Sequence, residues 1–388
     1  MKKALFIANN YWTTPFQVGT HELAKQFLKH GWHTAFISDP ISPYHVMLSN
    51  SEDIKARKEI WKAKGKFFDE NLFTYIPFTL TPPTQSPFVN FDFFIQNWDK
   101  FCIPSIDSIL SQNGFDKVDF LYIDSVYQGC ILNKIKYDHS LFRMADKNAG
   151  FAKISEERII KLEKNICSHV DAVAYPSAQL TDYIESLNPK NYFILKNGVD
   201  YKHFAREDIL IPEEFNNIPS PRVLYVGAID FWFDFDLINR AAKEFPDVSF
   251  VLIGNDRLAK EKLHKLKNIY VLGTRKYETI PSYMQYSQIG IIPFNKKDYA
   301  DLVNSINPLK LYQYSAAGIP TISVEWEHLK EDNSVAHLYN NYEEFKKLLT
   351  KLLESEINKE SLREYAKQFD WENQYYTIVN KLGLPSEK

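Results

Sequence analysis

The second half of the 388-residue sequence contains a series of short apolar segments that end in glycine or proline. Segments of strand length run into Gly227, Gly254 and Gly273, a fourth runs into Pro293, and stretches of helical length separate them. Strands that alternate with helices build a parallel sheet, which binds ligands at the carboxyl ends of its strands. A glycine there lets a ligand approach the backbone closely. The pattern therefore predicts a ligand-binding α/β domain that begins at Arg222.

The first half of the sequence shows the same alternation of strands and helices. A short apolar strand at residues 4–8, a loop to Gly19 and an amphipathic helix from Thr20 to Lys29 begin the first β-loop-α-β unit. The loop lacks the G-x-G-x-x-G pattern of dinucleotide-binding proteins, so that class of ligand is not indicated. The other predicted strands of this half are 34–38, 118–123, 141–145, 172–175 and 192–195.

Residues 201–221 separate the two halves. They are charged, contain prolines and lack periodicity, which is typical of an interdomain linker. Two domains also agree with the length of 388 residues, because one domain usually takes roughly 100–200 residues. We therefore predict an N-terminal Rossmann-like domain over residues 1–200 and a C-terminal Rossmann-like domain over residues 201–365.

Charge and cysteine content exclude several classes of function. The net charge is −3, so we expect no nucleic-acid partner held by overall electrostatics. The 3 cysteines lie far apart without a C-x-x-C pair, which argues against a disulfide framework or a zinc site and fits the reducing cytoplasm. The N-terminal apolar run is too short for a signal peptide, and no stretch reaches the ~20 apolar residues of a spanning helix. We expect a cytoplasmic protein.

The stretch from Ser305 to Pro320 is the strongest candidate for a ligand site. It contains Asn-Pro, which favours a turn followed by a helix start, and helix N-termini present free N–H groups to anions. Lys310 and Gln313 are three residues apart, so they share neighbouring surface of that helix. A lysine suits a phosphate, and a glutamine can hydrogen-bond a pair of hydroxyls. The stretch therefore predicts a pocket for a phosphorylated, hydroxyl-bearing ligand.

Residues 55–68 interleave basic residues with aromatic and aliphatic ones. One interpretation is a solvated helix face with a few core anchors, because charge runs are usually solvated. The other is an interfacial segment that is drawn to anionic lipid through its basic face and its aromatic residues. Under the second interpretation, the protein is peripheral on the inner face of the cytoplasmic membrane.

Four motifs together resemble glycosyltransferases of the GT-B class. Residues 196–200 match the N-G-V-D signature at the domain junction of that class, and the Ser305–Pro320 stretch resembles the helix that binds the donor. Residues 227–234, and the run of 273–281 followed by 289–294, resemble further segments of bacterial polysaccharide glycosyltransferases. The resemblance implies two Rossmann-like domains whose parallel sheets face each other across a cleft. It also implies a last helix, within residues 366–388, that crosses back to the N-terminal domain.

The resemblance further implies a transferase whose donor is a UDP-sugar, with the donor nucleotide on the C-terminal domain and the acceptor on the N-terminal domain. Lys310 would contact the donor diphosphate, Gln313 the ribose hydroxyls, and residues 274–276 the base. The implied donor-side residues are Gly227, Thr274, Arg275, Phe294, Asn307, Pro308, Leu309, Lys310 and Gln313. The candidates on the acceptor side are Gly19, His21 and Asp124. No metal or cofactor is expected, because a lysine and a helix N-terminus can stabilise the departing diphosphate.

The sequence departs from the retaining glycosyltransferases of family 4. Those enzymes commonly carry two glutamates separated by seven residues, where this sequence has Ser305 and Gln313. The lysine-then-glutamine form more closely resembles the xanthan-type glucuronosyltransferase, an inverting enzyme that uses UDP-glucuronate. An inverting transfer needs one base to take the proton of the acceptor hydroxyl. By resemblance this base is Asp146, which follows a predicted strand, and Asp124 is its alternative.

We therefore predict an inverting enzyme that moves glucuronate or another hexose from a UDP-sugar to a lipid-linked or oligosaccharide acceptor in bacterial surface polysaccharide synthesis. Two alternatives stay open. The missing glutamates also fit a catalytically silent nucleotide-sugar-binding protein that serves in an assembly. A UDP-sugar epimerase of the same architecture would likewise bind UDP in a pocket of the C-terminal domain.

Overall fold

The chain forms two compact α/β units, which a computed structural model describes for residues 1–14, 17–48, 51–83, 92–145, 155–305, 309–331 and 334–385. The first unit comprises Met1–Lys196 with Gln374–Lys388, and the second comprises Asn197–Asn373. In each unit the central strands are short apolar runs that are mostly buried on both faces, which is characteristic of parallel sheets covered by helices, whereas the edge strand β3 (Lys66–Asp69) is exposed.

The sheet of the first unit has eight strands within the described residues, in the order β3-β4-β2-β1-β5-β6-β7-β8. All neighbours pair in parallel except β3 and β4, which are antiparallel. The strands are β1 (Lys3–Ile7), β2 (His33–Ile37), β3 (Lys66–Asp69), β4 (Leu72–Tyr75), β5 (Lys117–Ile123), β6 (Lys136–Arg143), β7 (Ala172–Tyr175) and β8 (Tyr192–Ile194). The helices are α1 (Gly19–Lys29), α2 (Pro43–Leu48), α3 (Glu52–Lys62), α4 (Asp92–Asn97), α5 (Ile106–Gln112), α6 (Glu156–His169) and α7 (Thr181–Ser186).

The sheet of the second unit is parallel and has six strands among the residues that the structure describes, in the order β11-β10-β9-β12-β13-β14. The strands are β9 (Arg222–Val226), β10 (Ser249–Ile253), β11 (Ile269–Gly273), β12 (Ile289–Ile292), β13 (Thr321–Val324) and β14 (His337–Tyr339). The helices are α8 (Tyr201–Ala205), α9 (Phe235–Glu244), α10 (Arg257–Lys262), α11 (Ile280–Gln285), α12 (Ala300–Ser305), α13 (Leu309–Ala317), α14 (Glu327–Glu331), α15 (Tyr342–Glu354) and α16 (Lys359–Lys367). One more helix, α17 (Trp371–Leu382), begins in this unit and continues into the first.

Strand order places the functional edges of the two sheets. In the first unit β1 is central and pairs with β2 on one side and β5 on the other, so the residues that follow these three strands emerge side by side. In the second unit β9 pairs with β10 and β12, and the chain order reverses at β9. Ligands of open α/β sheets bind at the carboxyl edge beside such a reversal.

The predicted interdomain linker at 201–221 is wrong, because the segment belongs to the second unit. Helix α8 lies within it, and Phe204, Phe215 and Ile218 are buried in the core of that unit. The Arg222 guanidinium donates hydrogen bonds to the carbonyls of Phe215 and Ile218, at 3.1 and 2.8 Å. These isolated apolar residues stand among charged residues and prolines, so no periodic pattern marked them.

The last helix, α17, ends in the first unit. Its residues from Gln374 onward belong to that unit, and Tyr375 is buried there. The Tyr375 ring stacks on the ring of His30 at a centroid distance of 4.3 Å, and the indole of Trp32 donates a hydrogen bond to its hydroxyl at 3.1 Å. None of the helices in the described part of the chain has the length and apolar character needed to cross a membrane.

Candidate functional site

Helix α13 is seated on the sheet of the second unit by one tyrosine. The hydroxyl of Tyr314 accepts a hydrogen bond from the backbone N–H of Val226 at 3.0 Å and donates to the carbonyl of Leu224 at 3.3 Å. Its ring covers Gly290 of β12, where a Cβ atom would lie only 2.6 Å from the ring carbons. Glycine at this position therefore lets the helix lie close to the sheet and fixes the position of its first turn.

Lys310 lies in that first turn, and aromatic rings surround its ammonium. The Nζ atom is 5.4 Å from the ring centroids of Tyr225 and of Phe294, which is the range of a cation–π contact. It forms no hydrogen bond or ion pair with any other residue that the structure describes. Burial lowers the pKa of Lys310 to about 8. A half-buried cation without a carboxylate partner is suited to an anionic ligand such as a phosphate.

Two strands near Lys310 run into glycines at which an added side chain would displace a neighbouring group. A Cβ atom on Gly227, which has φ of +150°, would lie 2.3 Å from Cε of Lys310. A Cβ atom on Gly254 would lie 2.0 Å from the carbonyl oxygen of Gly227. Glycine after β9 and β10 therefore leaves room for the Lys310 side chain and for close packing of the two strand ends.

The remaining donor-side candidates differ in their surroundings. Gln313 and Leu309 are half-buried on α13, and Thr274 is exposed after β11. Phe294 is buried, and its ring is one of the two that contact the Lys310 ammonium. Asn307 and Pro308 lie outside the described residues, so nothing is added here to the prediction that they begin the site.

Arg275 is part of a structural network. Its guanidinium forms an ion pair with Glu214 at 2.8 Å and donates a hydrogen bond to the hydroxyl of Tyr283 at 3.1 Å. It also donates to the carbonyls of Leu272 and Thr274. These contacts hold the segment after β11 against residues 213–216, and they partly neutralise the charge. The proposed contact of Arg275 with a nucleotide base stays a prediction.

Asp124 anchors the start of α1 in the first unit. It follows β5, and its Oδ1 accepts a hydrogen bond from the backbone N–H of Asn9 at 3.1 Å. Its Oδ2 accepts a short hydrogen bond from the hydroxyl of Thr20, the residue after Gly19, with which the helix begins. Burial raises the pKa of Asp124 to about 6. Gly19 and Asp124 thus belong to one cluster, at the carboxyl edge of the sheet.

A second carboxyl at this edge, that of Asp39, is not among the site residues predicted from the sequence. It follows β2, and its Oδ1 accepts a hydrogen bond from Nε2 of Gln128 at 2.9 Å. Arg57 donates to its backbone carbonyl at 2.7 Å. Burial raises the pKa of Asp39 to about 7, although the charge of Arg57 and the hydrogen bond from Gln128 oppose this shift. Asp39 follows a strand as Asp124 does, so the same reasoning applied to β2 would have found it.

His21 does not line an acceptor site, contrary to the expectation. Its side chain is completely buried, and Nε2 donates to the carbonyl of Tyr11 at 3.0 Å while Nδ1 accepts from the N–H of Val18 at 3.4 Å. Burial lowers its pKa to about 4, so the ring is neutral at physiological pH. The ring also packs against Trp12 and Phe36. His21 holds the loop after β1 onto the domain.

Two further predictions concern the catalytic base and the absence of a metal ion. Asp146, the predicted catalytic base, lies outside the described residues, and its role stays a prediction. Among the residues that the structure describes, no group of three or more histidines, cysteines and carboxylates is placed to hold a metal ion. Metal-independent catalysis also remains a prediction, because it is a property of the reaction.

Comparison with known families agrees with this geometry. Residues 6–176 match the family described as the N-terminal domain of the glucuronosyltransferase GumK, and residues 208–369 match the glycosyl transferases group 1. The chain is also similar to the putative teichuronic acid biosynthesis glycosyltransferase TuaH of Bacillus subtilis. The two are 24% identical over 278 residues, which are 65% of this chain and 67% of that protein.

Solved structures with the same fold cover nearly the whole chain. Sucrose-phosphate synthase from Thermosynechococcus elongatus has a TM-score of 0.70 at 15% identity, with 98% of both chains covered. Anabaena HepE in complex with UDP and glucose has a TM-score of 0.66 at 10% identity, with 98% of this chain and 99% of that one covered. The predicted α/β fold of the GT-B class is confirmed. The matches identify the chain as a GT-B glycosyltransferase that resembles GumK.

Proposed function

We propose that the protein transfers glucuronate or another hexose from a UDP-sugar to a lipid-linked saccharide during synthesis of a bacterial surface polysaccharide. The observation that carries the proposal is the Lys310 ammonium, which lies between two aromatic rings beside the glycine ends of β9 and β10. A cation at the carboxyl edge of the sheet, with no carboxylate partner among the described residues, suits a diphosphate. The similarity to TuaH, a putative glycosyltransferase of teichuronic acid biosynthesis, and to HepE, whose structure holds UDP, supports the pathway class and the donor.

The proposed reaction is a direct displacement at the anomeric carbon. Asp146 takes the proton of the acceptor hydroxyl, whose oxygen forms the new glycosidic bond while the bond to UDP breaks, with inversion. The Lys310 ammonium stabilises the negative charge that develops on the departing diphosphate. Gln313 binds the ribose hydroxyls, and the segment with Thr274 and Arg275 frames the base. In this proposal no metal ion is needed, so turnover should persist in EDTA.

A thermal-shift screen of nucleotide-sugars tests the donor. Stabilisation by UDP and UDP-glucuronate, without stabilisation by GDP- or ADP-sugars, supports the proposal, and the absence of any UDP effect contradicts it. UDP release in the presence of a lipid-like saccharide acceptor then tests transfer. Binding without transfer or hydrolysis would favour the silent assembly protein, and conversion of a lone UDP-sugar without an acceptor would favour the epimerase.

The variant Asp146→Asn tests the catalytic base. We expect turnover to fall by at least ~100-fold, in line with the usual contribution of general base catalysis, with UDP affinity unchanged. Asp107→Asn, an exposed aspartate on α5, is the matched control and should retain full activity. Full activity in Asp146→Asn would rule out its role as the base and direct attention to Asp124.

We also propose that the first unit contacts the anionic inner face of the membrane through residues 55–68. Support comes from β3, where Phe67 and Phe68 are 50% and 37% exposed and stand beside the basic side chains of Lys64 and Lys66. Exposed aromatic residues next to lysines are typical of interfacial segments. Sedimentation with phosphatidylglycerol vesicles should capture the wild-type protein and not Phe67→Ser/Phe68→Ser. Equal capture of both would contradict the proposal.

A further inference from the structure

Two carboxyls flank the end of the central strand in the first unit. Ile7 of β1 pairs with Ile37 of β2 on one side and with Ile123 of β5 on the other. Asp39 lies two residues beyond Ile37, and Asp124 lies one residue beyond Ile123. The chain that leaves β1 therefore passes between them at the carboxyl edge, which is the edge where α/β sheets bind their ligands.

Hydrogen bonds link both carboxyls to the segment that follows β1. Nε2 of Gln128 donates both to Oδ1 of Asp39, at 2.9 Å, and to the carbonyl of Ala8, at 2.7 Å. The next residue, Asn9, donates its backbone N–H to Oδ1 of Asp124 at 3.1 Å. Both side chains are thus held in fixed positions by neutral donors, without a direct ion pair in the described part of the molecule. The guanidinium charges of Arg57 and Arg143 are still near enough to lower the pKa of Asp39 and of Asp124, respectively, against the larger effect of burial.

The same edge has hydrogen-bonding capacity that the described residues leave unused. Oδ2 of Asp39 accepts no hydrogen bond from another described residue. The completely buried Gln128 has no partner for Oε1, and the nearly buried Ser125, directly after Asp124, has none for its hydroxyl. Buried polar atoms in proteins are normally paired, so each such atom indicates a ligand or water. A cluster of them around two half-buried carboxyls points to a polar ligand.

The chemistry of the cluster selects the kind of ligand. Carboxylates accept hydrogen bonds, so they bind the hydroxyl groups of a saccharide and repel phosphate. We infer that Asp39 and Asp124 bind hydroxyl groups of the acceptor saccharide, at a subsite that begins where β1 ends. This inference rests on the proposed function, because it assigns the acceptor of that reaction to the first unit. It adds Asp39 as a residue that selects the acceptor.

Binding of short-chain alkyl glycosides tests the inference without requiring turnover. Saturation-transfer NMR is measured with the octyl glycosides of glucose, galactose, mannose and N-acetylglucosamine, each with UDP present. We expect at least one glycoside to bind the wild-type protein, with its dissociation constant raised about tenfold or more in Asp39→Asn, as for the loss of hydrogen bonds to a charged group. UDP affinity should stay unchanged. Asp107→Asn is the control and should bind as the wild type does.

Two results would overturn the inference: no glycoside binds the wild-type protein, or Asp39→Asn binds the glycosides as tightly as the wild type. Thermal unfolding at pH 5 checks that the variant is folded, because asparagine resembles the protonated aspartate there. The proposed function is judged separately by UDP release. Glycoside binding that depends on Asp39, without turnover of any UDP-sugar, would leave the saccharide subsite in place and refute the transferase.

Discussion

The carboxyl edges of the two parallel sheets carry opposite chemistry. In the first unit, the strands on both sides of β1 lead into Asp39 and Asp124, so this edge presents carboxyls. In the second unit, β9 and β10 lead into Gly227 and Gly254, and the side chain of Lys310 lies against Gly227 and brings a cation to this edge. One edge presents hydrogen-bond acceptors, and the other presents a cation suited to an anion.

Burial disfavours the charged form at both edges, which shows what a ligand would supply. It raises the pKa of Asp39 to about 7 and lowers the pKa of Lys310 to about 8. An anion beside Lys310 would raise its pKa again, and hydroxyl donors beside Asp39 would lower that of the carboxyl. Without a ligand, the charged form of each residue therefore makes the folded protein less stable than a neutral side chain of the same shape would. Such a loss of stability is common where residues are placed for binding.

The largest effect is expected at the glycine edge, from Gly254→Ala. The added Cβ would lie 2.0 Å from the carbonyl oxygen of Gly227, which is backbone and cannot rotate away. We expect the free energy of unfolding of the second unit to fall by about 3 kcal/mol, at the upper end of overpacking effects. UDP binding should be lost together with it. Urea denaturation with and without UDP measures both.

Gly273→Ala is the matched control at the next strand end. Gly273 has φ of +72°, and the nearest atom to an added Cβ, Oδ2 of Asp256, is 4.0 Å away. Only backbone strain is added there, which costs about 1 kcal/mol. If the two variants lose the same stability, the clash between an added Cβ on Gly254 and the Gly227 carbonyl costs no more than the backbone strain at Gly273.

The second effect concerns the charge of Lys310, which Lys310→Met removes while keeping the length of the side chain. We expect the dissociation constant for UDP to rise between about tenfold and a hundredfold, as for the loss of a charged hydrogen bond. Without UDP, the variant should be more stable at pH 7 by about 1 kcal/mol, because the wild-type protein buries a charge. Calorimetric titration with UDP and urea denaturation measure the two quantities.

The pH dependence of stability sharpens the comparison at Lys310. The pKa of this lysine is 10.5 for the ordinary side chain and about 8 when folded, so between these values the unfolded chain binds more protons. Wild-type stability should therefore gain from rising pH in this window, and the methionine variant should lack that gain. Lys265→Met, at an exposed lysine of the same unit, is the control. Weaker UDP binding in Lys265→Met would indicate that UDP affinity depends on the overall charge of the unit and not on the position of Lys310.

The two edges also differ in how far the sequence could predict them. At the glycine edge, each signal is local: a strand that ends in glycine, and a lysine in the first turn of a helix. The resemblance to GT-B glycosyltransferases, which rests on such local motifs, implies one site with Gly227, Phe294 and Lys310, and the structure brings these residues together. At the acidic edge, the neighbours Asp39 and Asp124 are far apart in the chain. Only the strand order β2-β1-β5 makes them adjacent, and the sequence does not state this order.

Two predictions, for His21 and for the linker, were wrong for the same reason. In both cases the residues are buried by parts of the fold that are distant in the sequence. His21 has the position of a residue in the first turn of a helix, but the loop after β1 folds over it and uses both its ring nitrogens. Phe204 and Phe215 stand in a segment whose composition is typical of a linker, yet the core of the second unit surrounds them. Burial of single residues depends on long-range packing, which local patterns do not record.

The smallest effect is expected from Asp39→Asn, through the pH dependence of stability. The pKa of Asp39 rises from 3.8 to about 7 on folding, so between these values the folded protein binds more protons than the unfolded chain. The free energy of unfolding should therefore fall as the pH rises through this window, and the fall should be smaller in the variant. The groups that face Asp39 are Arg57, Gln128, Tyr127 and Asp124.

Urea denaturation at pH 5 and pH 8 measures this difference. The stability of Asp39→Asn relative to the wild type should increase from pH 5 to pH 8 by on the order of 1 kcal/mol, since one pKa unit corresponds to about 1.4 kcal/mol and solvent and neighbouring groups reduce the full shift. Asp107→Asn should show no such change. If Asp39→Asn has the same pH dependence as the wild type, the charged form of Asp39 costs no free energy in the folded protein. The acidic edge then lacks the buried, proton-binding carboxyl that distinguishes it from the glycine edge.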